Sequence, residues 1–239
     1  MTVHFDVDAA TLRLDRDTFD SLAAWIRGGE GNGMHLADLR SAGAVRNGRP
    51  HPSLLPGLGA VADPICRLRL WLRDGHRPRK VGEGWVAADA ATLLLELPDG
   101  LCEFVAVHPT FLPVALVNLV GLGPRPRLPD PSPARLTPPV LDELLDHDAA
   151  GREPAARRLA AAARIDDPSW LRALVTGGRR MWGVDARWSA GGRGLQVLDT
   201  AVGIWLLEGA KEGVALRPST PTEVWRRLVG LLPRQSEVA

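Results

Sequence analysis

The sequence predicts an α+β protein of two pseudo-symmetric lobes, each an antiparallel sheet with flanking helices, that arose by an internal duplication. The main observation is a repeat, because residues 105–125 lie without a gap over residues 214–234, each position shifted by 109. Segments with strand-like alternation precede both copies. A chain of 239 residues can bury two cores, which favours two similar units. Nine residues recur unchanged, namely Val105, Ala106, Pro109, Leu119, Val120, Gly121, Leu122, Pro124 and Arg125, which return as Val214, Ala215, Pro218, Leu228, Val229, Gly230, Leu231, Pro233 and Arg234.

The first 64 residues are predicted to be a helical segment of the first lobe. A helix from 18 to 27 has an apolar stripe at helical spacing, and Asp17 is its expected N-cap. The glycine-rich run 28–33 ends this helix, and shorter helices are expected at 34–41 and 53–61. The apolar stripe of the first helix consists of Phe19, Leu22, Trp25 and Ile26.

Residues 65–123 form the first predicted α/β repeat. Apolar residues alternate with arginine and tryptophan from 65 to 73, the period of a strand with one buried face. Further strands are expected at 85–88, 92–97 and 101–107. A helix from Thr110, its expected cap, to about Leu122 completes the repeat.

The remaining chain is predicted to repeat this order after an extended, proline-rich connection at 124–139. Residues 140–169 form the helical segment of the second lobe, including an alanine-rich helix at 153–164. Residues 170–239 form the second α/β repeat, which ends in a helix from Thr220 to Leu232 with Pro221 at its first position. Strands are expected within this repeat at 170–176, 180–187, 194–198, 202–207 and 213–216.

Composition indicates an ordinary globular protein of the cytoplasm. No apolar run approaches the roughly 18 residues that a membrane span needs, and the acidic N-terminus lacks the apolar core of a secretion signal. The two cysteines, Cys66 and Cys102, lie in predicted buried strands and are expected to be reduced. A formal net charge of +1 provides no overall field that would attract nucleic acid or an anionic membrane.

Motifs that carry catalysis are absent from the sequence. It contains no Gly-x-Ser-x-Gly elbow and no Gly-x-x-x-x-Gly-Lys-Ser/Thr phosphate loop. The run Gly57-Leu-Gly59-Ala-Val-Ala62 fits a loose dinucleotide pattern, but Pro56 and Asp63-Pro64 bracket it where a strand and a long helix are required. The acidic segment 142–148, with Glu143 and His147 four apart, is interpreted as a solvated helix end. We therefore expect no enzyme, no metal and no cofactor.

The strongest local charge pattern is basic and lies on one strand and its turn. Such a patch is also typical of nucleic-acid binding, so a DNA-binding regulator that uses this strand and the N-terminal helices stays open as an alternative. The second lobe lacks these charges and the total charge is almost neutral, which favours a solvated face or an acidic protein partner. The patch consists of Arg67, Arg69, Arg73, His76, Arg77, Arg79 and Lys80.

The C-terminal part of the sequence resembles the EspG family of cytosolic chaperones for type VII (ESX) secretion. The resemblance lies in residues 195–207, a strand that ends in Asp199-Thr200 and a glycine hairpin, followed by residues 213–232, a strand and a leucine-rich helix. The order of the N-terminal helices is similar as well. The chain departs from the family in its Gly203-Ile-Trp segment, its shorter length and its arginine-rich strand.

Membership of this family would imply two pseudo-symmetric α/β halves and a non-catalytic function. Such a chaperone binds the exposed apolar tip of a secreted helical-hairpin heterodimer of the PE and PPE kind. The family has no binding motif that can be carried over residue by residue. We hypothesise that aromatic residues of the second lobe provide the surface, with core packing as the alternative for each of them. These residues are Trp182, Trp188, Trp205 and Trp225.

Overall fold

Eleven antiparallel strands form one continuous sheet in the part of the chain that the computed structural model describes, residues 3–29, 33–74, 77–126, 131–210 and 213–237. Two further strands, β3 and β4, form a separate small hairpin. The strands are β1 (His4–Asp6), β2 (Thr11–Leu14), β3 (Val45–Arg46), β4 (Arg49–Pro50), β5 (Cys66–Asp74), β6 (Arg77–Val86), β7 (Ala91–Glu96), β8 (Cys102–Val107), β9 (Ala134–Leu136), β10 (Arg179–Trp188), β11 (Gly191–Thr200), β12 (Gly203–Gly209) and β13 (Val214–Ser219).

The strand order is pseudo-symmetric about the centre of the sheet. It reads β1-β2-β8-β7-β6-β5-β10-β11-β12-β13-β9, so β5 and β10 meet in the middle and each half continues outward through three hairpin-linked neighbours. Leu70 pairs with Val184 at the centre of the β5–β10 ladder. The predicted α+β class with two pseudo-symmetric halves is thus confirmed, and the sheets of the two halves are joined into one.

Helices cover both faces of this sheet. In each strand successive side chains point to opposite faces, so Leu93 of β7 contacts one layer and Leu94 the other. The helices are α1 (Arg16–Ile26), α2 (Gly33–Ser41), α3 (Leu55–Ala62), α4 (Leu112–Val120), α5 (Pro138–Leu144), α6 (Ala149–Ala163), α7 (Pro168–Thr176) and α8 (Pro221–Val229).

Three apolar clusters fill the space between helices and sheet. Helices α4 and α8 lie together on one face, across both halves, and pack on residues such as Leu70 and Val184. On the opposite face α1–α3 pack on the first half and α5–α7 on the second, as separate clusters. The two helical layers of this opposite face therefore flank the central strands.

Local chemistry explains where the helices begin. Asp15, rather than the expected Asp17, caps α1, because its carboxylate accepts a hydrogen bond from the Thr18 amide at 2.9 Å. Thr220 caps α8 as expected and accepts from the Glu223 amide at 3.2 Å. The Glu223 carboxylate in turn accepts a hydrogen bond from Arg217 of β13 at 2.5 Å.

The structure corrects several predicted elements. The segment 1–64, expected to be helical, also contains strands β1 to β4. The segment 170–176, expected to be a strand, is helix α7, because Asp167 caps it by accepting from the Ser169 amide at 2.8 Å and Pro168 takes its first position. The connection at 124–139 is not an irregular linker throughout, since it contains β9, an edge strand that pairs with β13, and its last two residues begin α5.

Strand pairing also changes the register of the repeat. Phe104 of β8 and Leu216 of β13 occupy matching positions beside the outer strands β2 and β9, and they are 112 residues apart. Buried helix positions agree, since Leu112 corresponds to Val224 in α8 at the same spacing. The gap-free match at 109 is therefore displaced by three residues from the structural equivalence, and a duplication remains an interpretation of the topology.

Candidate partner-binding site

A groove crosses the middle of the sheet on the face where the two helical layers leave the central strands uncovered. It lies where β5 begins and β10 ends, and its cavity volume is about 420 Å³. We call it the central groove and define it by Ile65, Arg67, Arg69, Asp185 and Arg187.

Three exposed arginines dominate the central groove. Arg67 and Arg69 of β5 point to the same face, as does Arg187 of β10. Arg67 lies directly opposite Arg187 in the ladder, and Arg69 lies opposite Asp185. Among the described residues none of these three arginines has a carboxylate within 4.0 Å. The groove thus carries unpaired positive charge.

Arginines at the edges of the same face are neutralised. Arg73, further along β5, forms an ion pair with Asp142 of α5 at 2.6 Å. On the other side Arg16 of α1 pairs with Glu83 of β6 at 3.2 Å and with Asp20 at 3.1 Å. The basic strand of the sequence is therefore divided into a paired end and an unpaired end. His76 and the side chains of Arg77, Arg79 and Lys80 lie outside the described residues.

A tryptophan and a glycine meet beside the centre of the sheet. Trp71 of β5 pairs with Gly183 of β10, and a Cβ atom placed on Gly183 would lie 2.5 Å from the Trp71 ring. No real Cβ contact is so short, so the ring can occupy this place only because position 183 is glycine.

The four tryptophans proposed from the sequence have different environments. Trp182 and Trp205 are 0% exposed and belong to the core, so the proposal of a partner surface at these two positions is corrected. The reason is that their strand faces are covered by helices, by α4 and α8 for Trp182 and by α5–α7 for Trp205. Trp188 is half-buried at the end of β10, where its ring packs on the apolar cluster of α4 and α8, whereas Trp225 is 36% exposed on α8.

Arg193 fixes the side chain of Trp188. Its guanidinium lies 5.2 Å from the ring centroid, a cation–π contact. The same guanidinium donates to the carbonyl of Leu232 at 2.8 Å and thereby connects the end of β10 with the segment after α8. The Trp188 ring is thus held on the α4–α8 face of the sheet, away from the face that carries the three arginines.

The Asp199-Thr200 segment of the family resemblance has a structural function. Asp199 is 2% exposed and accepts two hydrogen bonds from Arg125, at 2.7 and 2.8 Å, and a longer one from Arg180 at 3.2 Å. Thr200 donates to the carbonyl of Gly203 at 2.8 Å, within the hairpin. Since Arg125 follows α4, this cluster ties the end of the first half to β11.

The polar groups considered for chemistry have structural partners. Glu143 of the acidic segment pairs with Arg158 at 3.2 Å, and no metal-binding group of three or more ligands occurs among the described residues. His108 accepts from the Thr110 amide at 3.4 Å and caps the turn before α4, so the residue predicted as the cap is the donor. Burial raises the pKa of the Cys66 thiol, which disfavours the reactive thiolate.

Within the described ranges, none of the helices has the length and apolar character required to cross a membrane.

Comparisons with known proteins show a similarity at the level of the fold. No family model matches the chain, and no curated protein matches it. Among solved structures, the type VII secretion system chaperone EspG5 of Mycobacterium tuberculosis, determined in complex with the PE25-PPE41 dimer, matches with a TM-score of 0.57. The match covers 93% of this chain and 97% of that chain at 14% sequence identity. The two proteins thus share an architecture over almost their whole length.

Proposed function

We propose that this protein is an EspG-like chaperone that binds the apolar tip of a secreted helical-hairpin protein of the PE and PPE kind in the cytoplasm and keeps it soluble. The observation that carries the proposal is the end-to-end similarity in fold to a chaperone whose structure includes such a dimer. A holding function requires a complementary surface and no reacting groups, so the proposal is that of a non-catalytic protein.

The central groove supplies a surface of the required kind. Ile65 is exposed at its rim and offers an apolar contact there. An apolar side chain gains about 25 cal/mol for each Å² that it removes from water. A hairpin tip with exposed leucine or phenylalanine would therefore be stabilised against Ile65, while the arginines beside it keep the empty groove hydrated.

The test is co-expression with a helical-hairpin heterodimer encoded beside the gene for this protein. We expect the client to be soluble only with the chaperone and the two to elute as one complex in size-exclusion chromatography. Ile65→Ser should weaken the complex by roughly tenfold, because it removes apolar contact area from the groove rim. The matched control is Leu55→Ser, which changes an exposed leucine on α3 that is 50% accessible against 40% for Ile65.

A client that remains equally soluble without this chain, together with separate elution of the two proteins, would refute the proposed function. Equal weakening by Ile65→Ser and Leu55→Ser would keep the chaperone function but move the binding surface away from the central groove.

A further inference from the structure

We infer that the central groove recognises an acidic segment of its partner, with Arg67, Arg69 and Arg187 as receptors for carboxylates next to the apolar contact. This inference rests on the proposed function for the identity of the partner. It concerns the chemistry of the partner surface, which the similarity in fold leaves undefined.

The first reason is a like-charge pair in the centre of the sheet. Arg67 and Arg187 are direct cross-strand neighbours, and side chains in such positions have Cβ atoms about 4.5–5.5 Å apart. Like charges placed directly opposite each other destabilise a sheet. A carboxylate bound between the two guanidinium groups would remove this repulsion and accept hydrogen bonds from both.

The second reason is that the carboxylate opposite Arg69 on β10 leans away from it. Asp185 lies between Arg69 of β5 and Gly194 of β11 in the sheet. Its Oδ1 atom is only 3.0 Å from the place where a Cβ of Gly194 would be. Glycine at 194 thus provides room for the carboxylate over β11, and Arg69 is left without an ionic partner.

The third reason is that the surrounding charges are already paired. Arg16 and Arg73 form ion pairs with carboxylates at either side of the central strands. The positive charge that remains is therefore concentrated in the groove, although the whole chain has a formal charge of only +1. Such a local field acts over about one Debye length, roughly 8 Å at physiological salt, and selects what docks in the groove.

The position of the apolar contact further limits which partner segments fit the groove. Ile65 lies at the rim of the same groove as the three arginines. The matching partner surface is a short segment in which one or two Asp or Glu side chains flank an apolar residue. A nucleic acid fits less well, because Asp185 in the groove would repel a continuous polyanion that runs along it.

Charge reversal at Arg67 separates partner binding from stability. Arg67→Glu should weaken the client complex by roughly tenfold or more and flatten its dependence on salt. The same variant should raise the thermal unfolding midpoint of the free protein, because it converts a like-charge pair with Arg187 into an opposite-charge pair. Arg67→Lys keeps the charge and should retain most of the affinity. Arg135→Glu is the matched control, since Arg135 is an exposed strand arginine on the outer strand β9.

A second probe makes the result independent of the client. A fluorescent helical peptide with glutamates around leucine should bind at low salt, whereas its glutamine counterpart should not. If the heterodimer fails to bind but the glutamate peptide binds and Arg67→Glu abolishes this binding, the groove inference stands and the proposed function fails.

Three outcomes overturn the inference. The first is a heterodimer that binds wild type and Arg67→Glu equally well. The second is an equal loss of affinity in Arg67→Glu and Arg135→Glu. The third is binding of single-stranded oligothymidylate that depends on Arg67 without binding of the acidic peptide, which would identify a nucleic-acid site.

Discussion

Replacing Asp199 by alanine removes the carboxylate that holds the end of the first half against the second. Its two closest hydrogen bonds come from Arg125, at 2.7 and 2.8 Å, and Arg180 donates at 3.2 Å. The variant leaves two guanidinium groups facing each other without an anion. We expect a clear loss of stability and a looser connection between α4 and the sheet.

The magnitude follows from the exposure of the partners. Breaking a fully buried ion pair by removing one partner costs about 3–5 kcal/mol. The side chains of Arg125 and Arg180 are 23% and 30% exposed, so water can solvate them partly in the variant. We therefore expect Asp199→Ala to lower the free energy of unfolding by about 2–3 kcal/mol. This corresponds to a decrease of about 4–12 °C in the unfolding midpoint of a chain of this size.

A double-mutant cycle with Arg125 tests the pair itself. Arg125→Ala should cost about 2 kcal/mol, less than Asp199→Ala, because Asp199 keeps Arg180. The double variant should cost no more than about 3 kcal/mol, which gives a coupling energy of roughly 1–2 kcal/mol in urea unfolding. Losses that add within about 0.5 kcal/mol would show that the two side chains act independently and would refute the reasoning.

Three further predictions follow from contacts described above. Gly183→Ala should lower the free energy of unfolding by about 1–3 kcal/mol in urea titrations, because its Cβ would displace the Trp71 ring; an unchanged midpoint would contradict that contact. Trp205→Ala should cost about 3–5 kcal/mol and Trp225→Ala less than about 1 kcal/mol, and comparable losses would contradict their different burial. The hydrogen bond from Arg217 of β13 holds the pKa of Glu223 below its ordinary value. The stability that this pair adds to the fold is therefore present above about pH 4.3 and is lost as pH falls through the lowered pKa. Glu223→Gln should accordingly cost about 0.5 kcal/mol near pH 7, and a cost that persists in acid, measured by urea unfolding, would exclude this origin.

The alternation of apolar and polar residues in strands and the capping residues of helices predict most of the fold. The period-two pattern at 65–73 corresponds to β5, and Thr220 with Pro221 opens α8 as expected. Helix α7 was missed because Asp167-Pro168 reads as the end of the preceding helix, although the same pair serves as N-cap and first position of the next one. Its apolar residues Trp170 and Leu174 are four apart, which was the available helical signal.

Strand β9 could not be predicted from its own residues. It has three residues, and its flanking segments are rich in proline, which argues against a central strand. Its partner is the edge of β13, and an edge strand needs hydrogen bonds on one side only. Because the stabilisation comes from a distant segment rather than from local propensity, single-sequence reasoning assigns such a strand to a connection.

The repeat shows that two segments rich in the same few residue types can be aligned in the wrong register. The sequence matches at a spacing of 109 align Leu228 with Leu119. The pattern of buried residues instead aligns Leu228 with Leu116, which is 112 residues earlier. Both helices are amphipathic and rich in leucine and valine, so a shift of three residues returns similar side chains to similar faces. The local sequence thus suggested the correct pair of elements in a register that only strand pairing could correct.

The candidate site was only partly accessible from sequence. Tryptophan content suggested a binding surface, but two of the four residues are core, because strand parity relative to the helical layers decides exposure. The arginines of β5 were recognised as a patch. Their relation to Arg187 and Asp185 depends on the pairing of β5 with β10, which joins residues more than 100 positions apart.

Pseudo-symmetry explains why the groove lies at the centre. The axis passes between Leu70 and Val184, so Arg69 and Gly183 are equivalent positions, as are Trp71 and Asp185. A duplicated scaffold with identical halves would present the same side chain twice at this point. Here a bulky ring faces a glycine on one side of the axis, and an arginine faces an aspartate that leans away on the other. On the covered face the equivalent residues Leu68 and Trp182 are both apolar and buried, so the difference in charge between these positions lies on the open face. A single partner segment bound in one orientation would require such a difference.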